Sequence, residues 1–204
     1  MASLPLDKSR RWISPYEEDG TGAPVSVFLT QYAYSQAIVH ASSDLENEVG
    51  GILVGKWCVN PETARQYIII TATLPARFTQ QSHVFLTFTQ DSLVDIHAKM
   101  DEEYPNDMIV GWYHTHPRMG VFLSQYDTWL HNHFFSELWQ VALVIEPHTG
   151  TGGFFVRKAD GVLDPSRYFG FYELEDDSGL NIVHWNNLQL GPPEFENRGV
   201  DRNE

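Results

Sequence analysis

The stretch Gly111-Trp112-Tyr113-His114-Thr115-His116-Pro117, followed by Phe122-Leu123-Ser124-Gln125-Tyr126-Asp127, constrains the fold more than any other part of the chain. Met108 to Tyr113 is apolar enough for a strand. Residues two apart on a strand project from one face, so His114 and His116 stand about 6.5 Å apart at their α-carbons and can lean toward one point. Pro117-Arg118-Met119-Gly120 then lets the chain turn, and Ser124 suits a helix N-cap with Asp127 in the first turn. A chain obeying both patterns must bring a strand end against a helix start. Two imidazoles and a carboxylate converging there leave the fourth position of a tetrahedral zinc ion to water, which separates catalytic from structural zinc sites. Taken alone, Ser124-x-x-Asp127 is an ordinary capping pattern and strand histidines commonly pack or face solvent; their joint occurrence points to a metal.

The rest of the chain intersperses strands with helices. Val25 to Leu29 reads as a strand, after which Tyr32, Ser35, Ile38 and Val39 fall at helical spacing. Ile52 to Val59 and Tyr67 to Ala72 read as strands joined by the turn Asn60-Pro61-Glu62-Thr63, and Val84 to Phe88 as another after the polar stretch Arg77 to Ser82. Leu93, Ile96, His97 and Met100 form one helical face; Tyr126, Trp129, Leu130, His133 and Phe134 share a face of the helix beginning at Ser124. Gln140 to Ile145 and Phe154 to Arg157 make a hairpin. The pattern is α/β in the broad sense, α+β in the strict sense, with a mixed sheet flanked by helices. Residues 1–23 read as a flexible N-terminal arm with no core element, 24–175 as one domain, and 176–204 as a partly disordered C-terminal tail.

With 42% hydrophobic residues, the 204-residue chain can bury one sizeable core. No apolar run is long enough for a membrane span and the first residues lack the order of a signal peptide, so a soluble, cytoplasmic protein is expected, with no membrane partner. The one cysteine, Cys58, lies in an apolar run and reads as a small core residue in a reducing compartment. The 13 Lys and Arg against 27 Asp and Glu give a formal charge of -14, which repels phosphate backbones and argues against nucleic acid as a partner.

The same residues resemble the JAMM motif of the MPN-domain, Mov34/PAD-1-like metalloproteases: a glutamate upstream, then His-x-His, ten residues, and Asp. Here residues 117 to 126 are those ten, and Glu48-Val49-Gly50-Gly51-Ile52-Leu53-Val54-Gly55 is similar to the family's glutamate followed by a glycine-bearing strand. The resemblance covers residues 25 to 160 and implies an MPN/JAB1-like domain with a curved sheet. It implies zinc ligation by His114, His116 and Asp127, one Zn2+ per chain, Glu48 as general acid/base and Ser124 as stabiliser of the oxyanion. Glu46 competes with Glu48 for the base, and the glycine spacing favours Glu48. His131, one turn beyond Asp127, can reach the site, though a packed helix histidine is the plainer reading. His40, His83, His97, His133, His148 and His184 lack partner spacing and read as structural or solvent-facing.

By resemblance the substrate is a ubiquitin-like protein or its conjugates, cut after its C-terminus in deconjugation or precursor processing, as in free-standing microbial members of the family. Activating or conjugating enzymes are then expected partners, and Arg77 to Ser82 a loop that orders the substrate's tail. Two alternatives stand beside this: a processing peptidase for a sulfur-carrier protein of ubiquitin fold, and a non-catalytic MPN scaffold. Scaffold members of the family have lost ligands, whereas this chain retains them.

Overall fold

The computed structural model describes residues 4–17, 23–76, 79–82, 85–176 and 179–192. In chain order the elements are β1 (Ser9–Ile13), β2 (Val25–Thr30), α1 (Gln31–Ala41), β3 (Gly50–Val59), β4 (Gln66–Pro75), β5 (Thr79–Ser82), β6 (Phe85–Phe88), α2 (Gln90–Glu103), β7 (Met108–Thr115), α3 (Gln125–Phe134), β8 (Val141–Glu146), β9 (Thr151–Phe155), β10 (Phe171–Leu174) and β11 (Gln189–Leu190). Nine strands form a mixed sheet in the order β11-β1-β10-β2-β4-β3-β7-β8-β9, and β5 and β6 pair as a separate two-stranded sheet. The sheet curls: Phe154 on β9 exchanges main-chain hydrogen bonds with Phe169, two residues before β10, so strands far apart in the order meet.

The centre of the sheet positions the site. β7 runs antiparallel to β3 and parallel to β8, with Gly50 and Val144 opposite His114. β8 is buried at every residue, as expected of a strand covered on both faces. Two glycines allow the close approach. A Cβ on Gly51 would lie 2.1 Å from the Leu74 carbonyl oxygen of β4, and one on Gly111 would lie 2.1 Å from that of Val141 on β8. The central strands therefore cannot carry side chains at those positions without moving apart.

Both ends of the chain differ from expectation. Ser9–Ile13 is no loose arm: it pairs antiparallel with β10, buries Trp12, and the Trp12 indole donates to the buried Glu173 carboxylate at 3.0 Å. Leu4 and Leu6 pack with Phe28, Tyr67 and Tyr172 in a second apolar cluster. At the other end Val183, Trp185 and Leu188 join the main core, and Gln189–Leu190 pairs with β1. The core thus draws on residues assigned to arm and tail; residues 193–204, also assigned to the tail, lie outside the described residues. Arg77 of the polar stretch lies outside them too, while Thr79–Ser82 is a strand paired with Phe85–Phe88 and not a loop.

Helix faces differ as well. On α2, Ser92, Ile96 and Met100 are buried while His97 is exposed. On α3 the buried residues are Asp127, Leu130 and His131, and Trp129 and Phe134 are 47% and 53% exposed. The face picked out by spacing is mostly turned out; the inward face is instead the one at i, i+3 and i+4 from Asp127, whose carboxylate faces the strand.

Candidate metal centre

β7 ends at Thr115, and His116 continues the ladder through its main-chain N–H to the Ile145 carbonyl. His114 and His116 are both buried, with their Nε2 atoms 2.9 Å apart. Asp127 reaches them from α3: Oδ1 lies 3.4 Å from His114 Nε2, and Oδ2 lies 3.4 Å from His116 Nε2. Among the described residues this is the one group of three ligating side chains that converges on a point. A tetrahedral ion with bonds of about 2.0–2.1 Å needs ligand atoms about 3.3 Å apart, close to the observed triangle. The donor chemistry fits too, since two imidazole nitrogens and a carboxylate facing one another call for shared protons or a cation between them.

The capping pattern and the metal pattern at α3 are one structure. Ser124 Oγ accepts the Asp127 N–H at 3.1 Å, and Asp127 Oδ2 accepts the Ser124 N–H at 2.7 Å, completing a capping box. That reciprocal pair fixes the Asp127 carboxylate while both oxygens stay directed at the histidines. Ser124 Oγ accepts in this contact, so its own proton can be donated to the Asp127 carboxylate or to a bound group.

Glu48 precedes β3 and is brought in by the residue between the histidines. Thr115 Oγ1 accepts the Val49 N–H at 2.9 Å, and the Thr115 N–H donates to the Val49 carbonyl at 2.8 Å. Glu48 is 1% exposed, its Oε1 lies 3.8 Å from His116 Nε2, and neither carboxylate oxygen has a hydrogen-bond partner among the described residues. Glu46 is elsewhere: exposed and paired through both oxygens with the Arg118 guanidinium at 2.9 and 3.0 Å.

The electrostatics separate the two carboxylates. Burial pushes Glu48 up to about 7, with His116 opposing and the charge of Asp127 adding to the rise. Burial also acts to raise Asp127, but the attraction of His114 and hydrogen bonds from His114, His116 and Ser124 outweigh it and hold Asp127 below the usual carboxylate range. His114 is lowered by burial, against the pull of Asp127. One carboxyl group is thus kept ionised, as holding a cation requires, while its neighbour can exchange a proton near neutrality in the metal-free chain.

Further residues shape the site that sequence reasoning did not single out. Glu146, buried at the end of β8, accepts the N–H groups of Arg118, His148 and Thr149, tying the turn after His116, where Arg118 has φ 61°, to the β8–β9 turn. Trp112 stacks on His114 with ring centroids 4.5 Å apart and planes within 6°. Its position, two before a ligand on the same strand face, was the available signal. His131 lies in the core and not against the ligands: its Nδ1 accepts the Trp112 indole N–H at 3.0 Å. Burial, aided by the nearby Arg157 cation, pushes His131 down to about 3. The other histidines stay outside the cluster: His40 meets the Tyr113 hydroxyl, His148 the Leu45 carbonyl and His133 the Trp129 carbonyl, while His97 and His184 are exposed. His83 lies outside the described residues.

Comparison with known proteins agrees with this geometry. Residues 23–137 match the family described as JAB1/Mov34/MPN/PAD-1 ubiquitin protease, a span that holds Glu48, both histidines, Ser124 and Asp127. The chain is 33% identical over 130 residues to NAD(+) hydrolase TcpA of Theionarchaea archaeon (strain DG-70-1), covering 63% of this chain and 36% of that protein. It is 31% identical over 123 residues to COP9 signalosome complex subunit 5 of Caenorhabditis elegans, covering 58% and 32%. The match spans about a third of the length of these curated relatives. The solution structure of protein DSY2949 from Desulfitobacterium hafniense superposes with a TM-score of 0.50 at 21% identity, covering 69% of this chain and 91% of that one. That likeness bears on the fold.

Proposed function

The chain belongs to the JAB1/Mov34/MPN/PAD-1 family, and from that premise we propose that it is a zinc-dependent isopeptidase cutting after the C-terminus of a ubiquitin-like protein. Family membership and the His114, His116 and Asp127 cluster support a metal-dependent hydrolase. The observation that carries the catalytic part is the Glu48 carboxylate, buried and without a hydrogen-bond partner beside the three ligands.

His114, His116 and Asp127 would hold the ion, which when bound supplies acidification of water and polarisation of the scissile carbonyl. Glu48 takes the proton of the attacking water and returns it to the departing amine, a role suited to a buried carboxyl group without a hydrogen-bond partner, 3.8 Å from His116 Nε2. The Ser124 hydroxyl, oriented by its contact with the Asp127 N–H, donates to the developing oxyanion, and one such donor is worth roughly 3 kcal/mol. An extended tail is held by main-chain pairing, and the paired strands β5 and β6 offer edges for it. Glycine before the cut lets the backbone approach closely.

Retention of the ligand set argues against the scaffold alternative. The sulfur-carrier alternative shares the tail chemistry and differs in the protein attached to it. Relatedness to TcpA raises NAD(+) hydrolysis as a separate reading, for which the matched third of that protein is the support. The test is a panel of reporter fusions to ubiquitin and to a sulfur-carrier protein of ubiquitin fold, each ending Gly-Gly or Ala-Ala before the cut, with casein and NAD(+) in parallel. Cleavage confined to Gly-Gly fusions is expected. Equal cleavage of casein would leave a general metallopeptidase, and turnover of NAD(+) alone would replace the reading.

A further inference from the structure

The orientation of His114 poses a problem that the ligand set does not solve. A metal-bound histidine is usually aimed by a hydrogen bond from its other ring nitrogen. His114 Nδ1 is buried and has no hydrogen-bond partner among the described residues. While Nε2 faces His116 and Asp127, one face of the ring lies against the parallel Trp112 indole, 4.5 Å away by centroids and 6° off in plane. Trp112 is fixed in turn: it is 0% exposed, Phe135 lies near parallel to it at 5.9 Å, and its indole N–H donates to His131 Nδ1 at 3.0 Å.

An indole N–H only donates, so His131 Nδ1 must carry a lone pair, which puts the neutral ring's proton on Nε2. His131 itself is buried, and its Nε2 has no hydrogen-bond partner among the described residues. It lies parallel to Phe135 at 6.1 Å, and its main-chain carbonyl accepts from Arg157, whose guanidinium also bonds Asn132 Oδ1 and the Glu137 carbonyl where α3 ends. The side chain that sets Trp112 therefore stands on the same helix, four residues from Asp127.

We propose that His131 is a positioning residue for the metal centre, acting through the Trp112 indole to hold the His114 imidazole in its ligating orientation. α3 then contributes twice, supplying one ligand directly through Asp127 and aiming a second through His131 and Trp112. This rests on the metal-centre reading, and the two fail in different ways.

The test compares wild type with His131→Phe, His131→Gln, Trp112→Phe and the His131→Phe, Trp112→Phe double variant. Zinc affinity is measured by competition with a chromophoric chelator, and ligand geometry by the visible absorption of the cobalt-substituted protein. His131→Phe keeps the ring packing but loses the acceptor; it should weaken zinc binding roughly 10- to 100-fold and alter the cobalt bands. His131→Gln, whose amide oxygen can accept the indole N–H, should recover part of both. In the Trp112→Phe background, His131→Phe should add no further loss. An equal loss in both backgrounds, or an unchanged cobalt spectrum in His131→Phe, overturns the proposal; a wild type that binds no metal removes the metal centre itself. Should His131→Phe fail to fold, nitrogen-15 spectra of the wild type decide. His131 must carry its proton on Nε2, and the Trp112 indole resonance must move when zinc is added. A proton on Nδ1, or an indole resonance indifferent to zinc, overturns the proposal.

Discussion

A carboxylate buried without a hydrogen-bond partner is costly, and the cost at Glu48 has a pH dependence that can be measured in metal-free protein. The folded chain holds the Glu48 proton up to about 7, against 4.5 for an ordinary glutamate. The folded state therefore binds more protons between those values, so stability is full below pH 4.5 and falls as pH rises through 7. The loss is on the order of 3 kcal/mol. Glu48→Gln should match wild type near pH 4.5 and exceed it progressively toward pH 8, in urea unfolding after chelation. Zinc should narrow the gap, since a nearby cation favours the ionised carboxyl; a gap independent of pH would show that Glu48 is not desolvated. Ser124→Ala separates cap from chemistry. The main-chain N–H of residue 124 still meets Asp127 Oδ2, so zinc should be retained while the cap loss costs about 1 kcal/mol. The lost oxyanion donor should lower kcat about 100-fold; loss of zinc would instead make Ser124 a structural support of the ligand. At this scale the convergence of His114, His116 and Asp127, with Glu48 beside them, was legible, because a short motif reports residue types and spacing directly. Thr115 and Glu146 were not, because their roles lie in hydrogen bonds to Val49 and Arg118 that no local pattern reveals.

Among the elements, α3 shows where pattern reading fails. Tyr126, Trp129, Leu130, His133 and Phe134 have helical spacing, yet Leu130 is the only fully buried member of that set. Hydrophobicity names the inward face only when packing alone chooses it; here the Asp127 carboxylate faces the two histidines, and His131 turns inward with it. Trp129→Gln and Phe134→Gln should therefore each change unfolding free energy by about 0.5 kcal/mol or less. Leu130→Ala should cost about 2–5 kcal/mol. A large loss from Trp129→Gln would show that the aromatic face is covered in solution. Central strands such as β3, β4 and β8 were legible from their β-branched and apolar runs. β1 was not: Ser9-Arg10-Arg11-Trp12-Ile13 has little apolar alternation, and its partner β10 lies about 160 residues away in sequence. Pairing over that distance is decided by the assembled sheet edge, which a local reading does not contain.

For the whole molecule, the curled sheet brings three distant segments, around 48, 114–116 and 124–127, to one buried point. Among the described residues, no helix is long and apolar enough to cross a membrane. Elemental analysis of the purified chain should find one zinc per chain. The His114→Ala, Asp127→Ala double variant should hold none, and stoichiometric zinc in it would place the metal elsewhere. The most direct measurement is the rate of cleavage, per mole of bound zinc, of a ubiquitin-fold protein joined through Gly-Gly to a fluorogenic amine, for wild type, Glu46→Gln and Glu48→Gln at matched zinc content. Wild type and Glu46→Gln should cleave alike, and Glu48→Gln should keep its zinc and fold while losing turnover. Undiminished turnover by Glu48→Gln, or no zinc-dependent turnover by wild type, would contradict hydrolysis by this centre.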